Sequence, residues 1–286
     1  MLDRPKYQVH RGYVISFSVC VFKDEQSVFL LRPGIREYFA DPFILGVHGD
    51  TAYVLVEVYR RRRRKGDICL LTVDFQRQAY RLESLIEETY HLSYPCVIRM
   101  GSDEYVMPES EAASAQYLYR LEWERQSLRA SKTAALPGRY VDLTVRPQDD
   151  GRYVAQFFNG TSNSNGVLFE ADLMFDGTEV IRLGEEVRVR GRRRPGGRIE
   201  GGPQPFQRPG VDYGSGLDLV DASGQLVAPE ALGLPALVSA LQHRMHHLSQ
   251  SHGCMTFDVK EKVAPRLVRQ GFFGSAAQVK ARIESD

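Results

Sequence analysis

Asp41-Pro42-Phe43-Ile44 leads through His48-Gly49-Asp50 to Tyr53-Val54-Leu55-Val56-Glu57. Tyr94-Pro95-Cys96-Val97-Ile98 leads through Gly101-Ser102-Asp103-Glu104 to Tyr105-Val106-Met107-Pro108-Glu109. Both stretches read as an apolar strand, a turn rich in Gly and Asp, and a Tyr-led strand closing on a glutamate. A worn copy runs from Asp142-Leu143-Thr144-Val145 through Asp149-Asp150-Gly151-Arg152 to Tyr153-Val154-Ala155-Gln156-Phe157. Pro42 and Pro95 stand 53 residues apart, and Pro95 and Leu143 stand 48 apart. A period near fifty, each unit opening on a hairpin, predicts propeller blades. Five such units fill the 286 residues, so the expected fold is all-β: a single five-bladed β-propeller domain over residues 1–286.

The remaining segments are placed around that repeat. Val14–Phe22 and Val28–Leu31 read as two strands, and this N-terminal stretch, residues 13–31, is expected to complete the last blade. Each unit continues with two further strands, for example Asp67–Phe75 and Tyr80–Leu85 in the first. The fourth blade is expected between about Arg198 and Ala228, and the fifth from Gly253 onward. Residues 229–249 carry Leu234, Leu237, Val238, Leu241, Met245 and Leu248 at helical spacing, which predicts one inserted amphipathic helix. On that helix His243, His246 and His247 fall opposite the apolar stripe, as a solvated face. No carboxylate or cysteine stands at ligand spacing, and no metal is expected.

Bulk properties exclude several classes. The hydrophobic fraction is 43% and the formal net charge +1, so no nucleic-acid polymer is an expected partner. The basic run Arg60 to Lys65 lies between two strands and reads as a solvated loop tip. Cys20, Cys69, Cys96 and Cys254 lack CxxC spacing, which argues against a zinc site or a disulfide framework. No apolar run reaches membrane-spanning length and the first residues lack a signal-peptide core, so a cytoplasmic protein without a cofactor is expected.

A propeller brings the innermost strand of every blade to one axis, and carboxylates placed alike in the repeats would converge there. Asp41 precedes Pro42 at the start of such a strand, where the proline should bias it to an extended conformation and aim its side chain. Asp142 aligns with it in the third repeat. Glu57 and Glu109 share a place four residues after a Tyr, inside apolar runs where an unpaired carboxylate is costly. His91 and Tyr94 precede the second inner strand as Tyr38 precedes Asp41, and are expected at the same mouth. Two or three carboxylates there suit glycosyl chemistry: one protonates a departing oxygen while another acts as base or stabilises positive charge. Asp41, Glu109 and Asp142 are the candidate catalytic groups.

Ala40-Asp41-Pro42-Phe43, Glu57-Val58, Lys65-Gly66-Asp67-Ile68, His91-Leu92-Ser93-Tyr94-Pro95 and Met107-Pro108-Glu109-Ser110 resemble the N-terminal domain of plant glucosamine inositolphosphorylceramide transferases and its bacterial relatives. That family in turn resembles five-bladed propeller glycosidases of the arabinanase and xylosidase type. The resemblance is strong over about Ala40 to Phe158. It continues weakly in Arg194-Pro195-Gly196-Gly197-Arg198 and in Arg208-Pro209-Gly210-Val211-Asp212-Tyr213-Gly214. It implies a substrate pocket that includes Glu57, His91, Tyr94, Arg198, Arg208, Asp212 and Tyr213. Arg198 and Arg208 would hold the phosphate of a sugar phosphate or nucleotide sugar. Met255-Thr256 stands where relatives tend to have a His before Thr, with His252 three residues earlier.

The expected function is therefore carbohydrate-active: glycosyl transfer from an activated sugar in polysaccharide or glycoconjugate assembly, beside partner enzymes of that assembly. A glycoside hydrolase or phosphorylase with the same carboxylates is the first alternative. A non-catalytic sugar-binding propeller is the second.

Overall fold

The repeated hairpins fold as blades. A computed structural model describes residues 9–10, 13–110, 112–125, 127–148, 150–159, 167–175, 179–189, 194–208, 216–221, 223, 225–263 and 268–285. The chain opens with β1 (Val9–His10), β2 (Tyr13–Asp24) and β3 (Ser27–Arg32). Blade one is β4 (Glu37–His48), β5 (Thr51–Arg60), β6 (Lys65–Asp74) and β7 (Ala79–Ile86). Blade two is β8 (Ser93–Met100), β9 (Asp103–Glu109), β10 (Ala115–Glu124) and β11 (Ser127–Pro137). Blade three is β12 (Tyr140–Pro147), β13 (Tyr153–Asn159), β14 (Leu168–Phe175) and β15 (Val180–Arg188). Each is an antiparallel meander in sequence order. Gly49 and Gly101, at φ 59° and 60°, supply the left-handed residue that the first two tight hairpins need.

Blade four is spare. Its inner strand is broken into β16 (Arg194–Pro195) and β17 (Gly197–Ile199), followed by β18 (Gln204–Gln207), β19 (Leu217–Val220) and β20 (Leu226–Val227). Only β16 pairs with β18, whereas β17 runs parallel to the inner strand of the next blade. That last blade joins the two ends of the chain: β21 (Met245–Ser251) and β22 (Cys254–Val263) pair onward to β2, β3 and β23 (Gln270–Gly274). The β2–β22 register runs from Val14↔Val263 to Phe22↔Met255, a continuous ladder that closes the ring.

The strands do not alternate buried and exposed residues. Val54, Leu55, Val56 and Val58 of β5 are all buried, because a blade is packed on both faces by its neighbours. The outermost strands β7 and β11 are polar and largely exposed. All four cysteines are buried and free. Among the described residues, no helix is long and apolar enough to cross a membrane.

The segment expected as one helix over 229–249 folds otherwise. It makes a 3-10 turn (Pro229–Leu232), α1 (Ala236–Leu241), a second 3-10 turn (Gln242–Arg244) and then the strand β21. Gly233 at φ 64° and Pro235 punctuate the first half. In the second half the Met245–Leu248 spacing comes from a bulge, not a helical turn, since pairing with β22 slips between those residues. An innermost strand buried on both sides has no period to separate it from a helix. A helix not anticipated, α2 (Ala276–Glu284), is set by a Ser275/Gln278 capping box and buries Ala276, Val279 and Ile283.

Candidate active site

The inner strands of four blades kink in the same way. Pairing slips between Ala40 and Phe43 in β4, Ser93 and Cys96 in β8, Val141 and Thr144 in β12, and Met245 and Leu248 in β21. Two residues of the inner strand thus face one residue of its neighbour, as in a β-bulge. The kinks hold Asp41-Pro42, Tyr94-Pro95, Asp142-Leu143 and His246-His247. Asp41, Tyr94 and Asp142 are left-handed, at φ 50°, 45° and 50°. This corrects the extended conformation expected for Asp41: the bulge overrides the bias from its proline. A left-handed non-glycine residue costs on the order of 1–3 kcal/mol and persists only where its surroundings enforce it. In blade four, Gly197 at φ 119° takes the equivalent place, and a Cβ there would collide with the Leu248 carbonyl.

The surroundings of Asp41 are two histidines and a second aspartate. Its amide donates to Asp258 Oδ2 at 2.9 Å. Its Oδ1 lies 3.2 Å from His246 Nδ1 and 3.7 Å from His247 Nδ1. Asp258 Oδ1 accepts the amides of His246 and His247, at 3.1 and 2.8 Å, and Oδ2 lies 3.3 Å from His246 Nδ1. One imidazole nitrogen therefore sits between two carboxylates. Burial alone would depress His246, but the charges of Asp258 and Asp41, with their hydrogen bonds, push it up to about 10. His247 goes the other way, to about 4, because burial dominates and the Asp41 and Asp258 charges do not offset it. Neither ring nitrogen of His247 has a hydrogen-bond partner among the described residues.

At neutral pH the cluster thus holds an imidazolium at His246, set between the side chains of Asp41 and Asp258, and a neutral imidazole at His247. Asp41, at 4% exposure, is its one carboxylate with any solvent contact. The donor atoms of Asp41, His246 and Asp258 lie within 4.8 Å of one another, near enough to share a cation.

Asp142 and Tyr94 belong to the same ring of kinks. The Asp142 amide donates to Glu109 Oε2 at 2.7 Å. Tyr94 is buried, its hydroxyl 2.6 Å from Thr144 Oγ1 and accepting the Gly197 amide at 3.0 Å. Burial, then the charge of Asp142 and to a lesser degree that of Asp41, push its phenol well above the usual range, so it stays neutral. Its ring lies edge-on to Phe43 and to His247. Tyr94 therefore ties blades two, three and four together at the axis, with its hydroxyl already committed.

Glu57 and His91 form an adjoining cluster beside Asp41, since Glu57 pairs across the sheet with Ala40. Tyr38 donates to Glu57 Oε1 at 3.2 Å, and His91 Nε2 is 3.9 Å from the same oxygen. The Gly66 amide donates to His91 Nδ1 at 2.8 Å, which puts the proton of the neutral ring on Nε2, facing Glu57. Tyr59 stacks on Tyr38 at 4.8 Å and meets His91 edge-on. Phe17 touches both Tyr38 and His246, joining this cluster to the Asp41 group.

The arginines divide. Arg208 lies just beyond β18, at the end of the blades where inner strands begin, and its Nε is 3.1 Å from Asp218 Oδ1. Arg198 follows the blade-four kink and donates to the Val145 carbonyl at 3.1 Å. Val145 comes after the kink of β12, so Arg198 meets blade three beyond Asp142 in the strand. Asp212 and Tyr213 lie outside the described residues. The turn after β5 sits at the Asp41 end of blade one, because the Arg61 amide bonds the Arg36 carbonyl. Arg61 reaches the Tyr38 ring there and Arg62, Arg63 and Arg64 are exposed. The basic run is a loop tip, and it is also part of the rim.

His246 and His247, expected on a solvated face, are instead buried on the inner strand β21, and neither they nor Asp258 and Thr144 were anticipated as site residues. The adjacent pair His246-His247, directly before an apolar strand position, was the one available signal, and it was absorbed into the expected helix.

Comparison with known proteins agrees with the resemblance drawn above. Residues 32–128 match the sequence profile of the family described as glucosamine inositolphosphorylceramide transferase 1, N-terminal. The chain is 34% identical over 84 residues to glucosamine inositolphosphorylceramide transferase 1 of Arabidopsis thaliana, covering 29% of this chain and 11% of that protein. It is 31% identical over 101 residues to the protein of that name from Oryza sativa subsp. indica, covering 33% and 13%. The match thus spans little more than a tenth of those relatives. Among solved structures, beta-1,2-mannobiose phosphorylase from Listeria innocua, in complex with beta-1,2-mannobiose, is similar over 98% of this chain and 95% of its own, at 12% identity and a TM-score of 0.44.

Proposed function

We propose that this chain is a carbohydrate-active enzyme that transfers a glycosyl group from an activated sugar, with Asp41 as its central acid–base group. The observation that carries the reading is the construction around Asp41. A carboxylate is held at a disfavoured φ, its amide is fixed by Asp258, and its Oδ1 faces an imidazolium. Such expense at one point of a closed ring is characteristic of functional sites. Asp142, carried on Glu109 two blades away, supplies a second carboxylate of the same geometry for charge stabilisation at the anomeric carbon.

The similarity to glycosyl-transferring relatives over residues 32–128, which include Asp41, Glu57, His91, Tyr94 and Glu109, supports the same reading. Tyr59 and His91 provide an aromatic wall beside Asp41, and Arg208 with the Arg61–Arg64 turn provides cations for a donor phosphate. A sugar phosphate or nucleotide sugar is the proposed donor, and its use beside other enzymes of glycan assembly inside the cell is part of the proposal.

The test is a panel of nucleotide sugars and sugar phosphates read by thermal shift, followed by product analysis with an added acceptor. A ligand at a hundred times its Kd adds about 2.7 kcal/mol of stability, a clear shift in melting temperature. A new glycosidic product supports transfer, whereas release to water or to phosphate identifies a hydrolase or phosphorylase on the same carboxylates. Binding without turnover under any condition would reduce the chain to a sugar-binding propeller.

A further inference from the structure

At the opposite end of the blades, where the inner strands finish, a cleft of about 700 Å³ opens beside blades one and two. It lies about 20 Å along β4 from Asp41, at about 3.3 Å per residue. Trp123, Tyr53, Arg77, Arg81, Arg125 and Asp74 are among the residues that line it. Its size is that of a ligand site rather than a packing gap.

Trp123 is the only tryptophan of the chain. It is 43% exposed, although an exposed indole forgoes much of its hydrophobic stabilisation. Tyr53 packs edge-on against it at 4.9 Å and leaves part of the ring open to the cleft. Around it stand three guanidinium groups. Arg77 and Arg81 are paired with Asp74 and Glu83, both at 2.9 Å, but as exposed surface pairs of little strength that a ligand acid can replace. Arg125 has no carboxylate partner among the described residues.

We propose that this cleft binds an anionic glycan, a chain of sugars bearing carboxylates such as uronic acids. A part-exposed indole suits the apolar face of a sugar ring. The guanidinium groups suit its carboxylate, and Asp74 and Glu104 accept from its hydroxyls. The same two carboxylates oppose the crowded charges of a polyphosphate more than a uronic-acid chain, which carries one charge per sugar with hydroxyl donors between, and this favours an anionic glycan over a nucleotide. The cleft acts as a separate foothold, and its binding does not depend on the chemistry at Asp41.

The single tryptophan makes the test direct, because emission reports this cleft alone. The full chain is titrated with oligogalacturonides, with the same oligosaccharides reduced to neutral sugars, and with a nucleoside triphosphate. The expected result is a saturable emission change with the oligogalacturonide. Affinity should be about tenfold weaker for the neutral form, the loss of one charge-assisted contact. Arg125→Ala should weaken binding by a similar factor, and Trp123→Ala should abolish it by calorimetry with circular dichroism unchanged. Asp41→Asn should leave it unaltered. No saturable change with the oligogalacturonide, equal binding of the neutral form, or tighter binding of the triphosphate would each overturn the proposal.

Discussion

The backbone amide of Asp41 donates to the carboxylate of Asp258, 217 residues later, across the seam between the first and last blades. Asp258 also accepts the amides of His246 and His247, so one side chain organises the kinks of two inner strands. It thereby fixes Asp41 in position and charges His246 at the same time. Ring closure and the candidate site are one construction.

Replacing Asp258 should therefore damage the fold more than a single hydrogen bond would. In Asp258→Asn one of the two carboxylates facing His246 is lost, and one amide oxygen must serve donors that two carboxylate oxygens now share. Removing one partner of a buried ion pair typically costs about 3–5 kcal/mol. The measurement is urea unfolding of the variant against the parent. A loss below about 1 kcal/mol, the scale of an ordinary hydrogen bond, would show that the cluster is not the organising element described.

The two histidines set opposite pH limits. His246 is raised to about 10 from an ordinary 6.5, so its stabilisation is complete below pH 6.5 and is lost as pH rises through about 10. His247 is lowered to about 4, so the unfolded chain binds its proton first and stability falls as pH drops from 6.5 towards 4. Thermal melts across that range should show both limbs. His246→Gln should flatten the alkaline limb and His247→Phe the acid limb. If each variant retains the limb assigned to it, the assignment of charge in the cluster is wrong.

The propeller was legible in the sequence because its evidence is local. Hairpins of fixed form repeat about every fifty residues, and Gly49 and Gly101 mark their turns. The equivalence of Asp41 and Asp142 was legible for the same reason. What makes them unusual was not, because a bulge is a slip between two strands and leaves no mark on either alone. His246 and His247 were lost to an expected helix, since a doubly buried strand with a bulge mimics helical spacing at Met245 and Leu248. Asp258 was out of reach because its role exists only once the first and last blades meet.

The strain at the kinks can be measured at Asp142. In an ordinary strand glycine is less stable than alanine by roughly 0.5–1 kcal/mol. At φ 50° the order should reverse, because a Cβ there costs about 1–2 kcal/mol and glycine none. Asp142→Gly should therefore be more stable than Asp142→Ala by about 1 kcal/mol in urea unfolding. The amide bond to Glu109 survives in both, so the comparison isolates the backbone. Alanine proving the more stable would mean that Asp142 is not held in the left-handed region.

Asp41 carries the functional reading, and Asp41→Asn tests it with little structural disturbance. The amide bond to Asp258 belongs to the backbone and is retained. The asparagine oxygen can still accept from His246 Nδ1, and Asp258 remains as the charged partner of the imidazolium. What disappears is the negative charge and the ability to take or give a proton. Loss of general acid–base catalysis lowers rate by about 10²–10⁴. The variant should fold, bind donor with near-normal affinity and turn over at least about a hundredfold more slowly. Near-normal turnover on a validated donor would remove Asp41 from the chemistry. Lost turnover together with lost donor binding would make it a binding group instead.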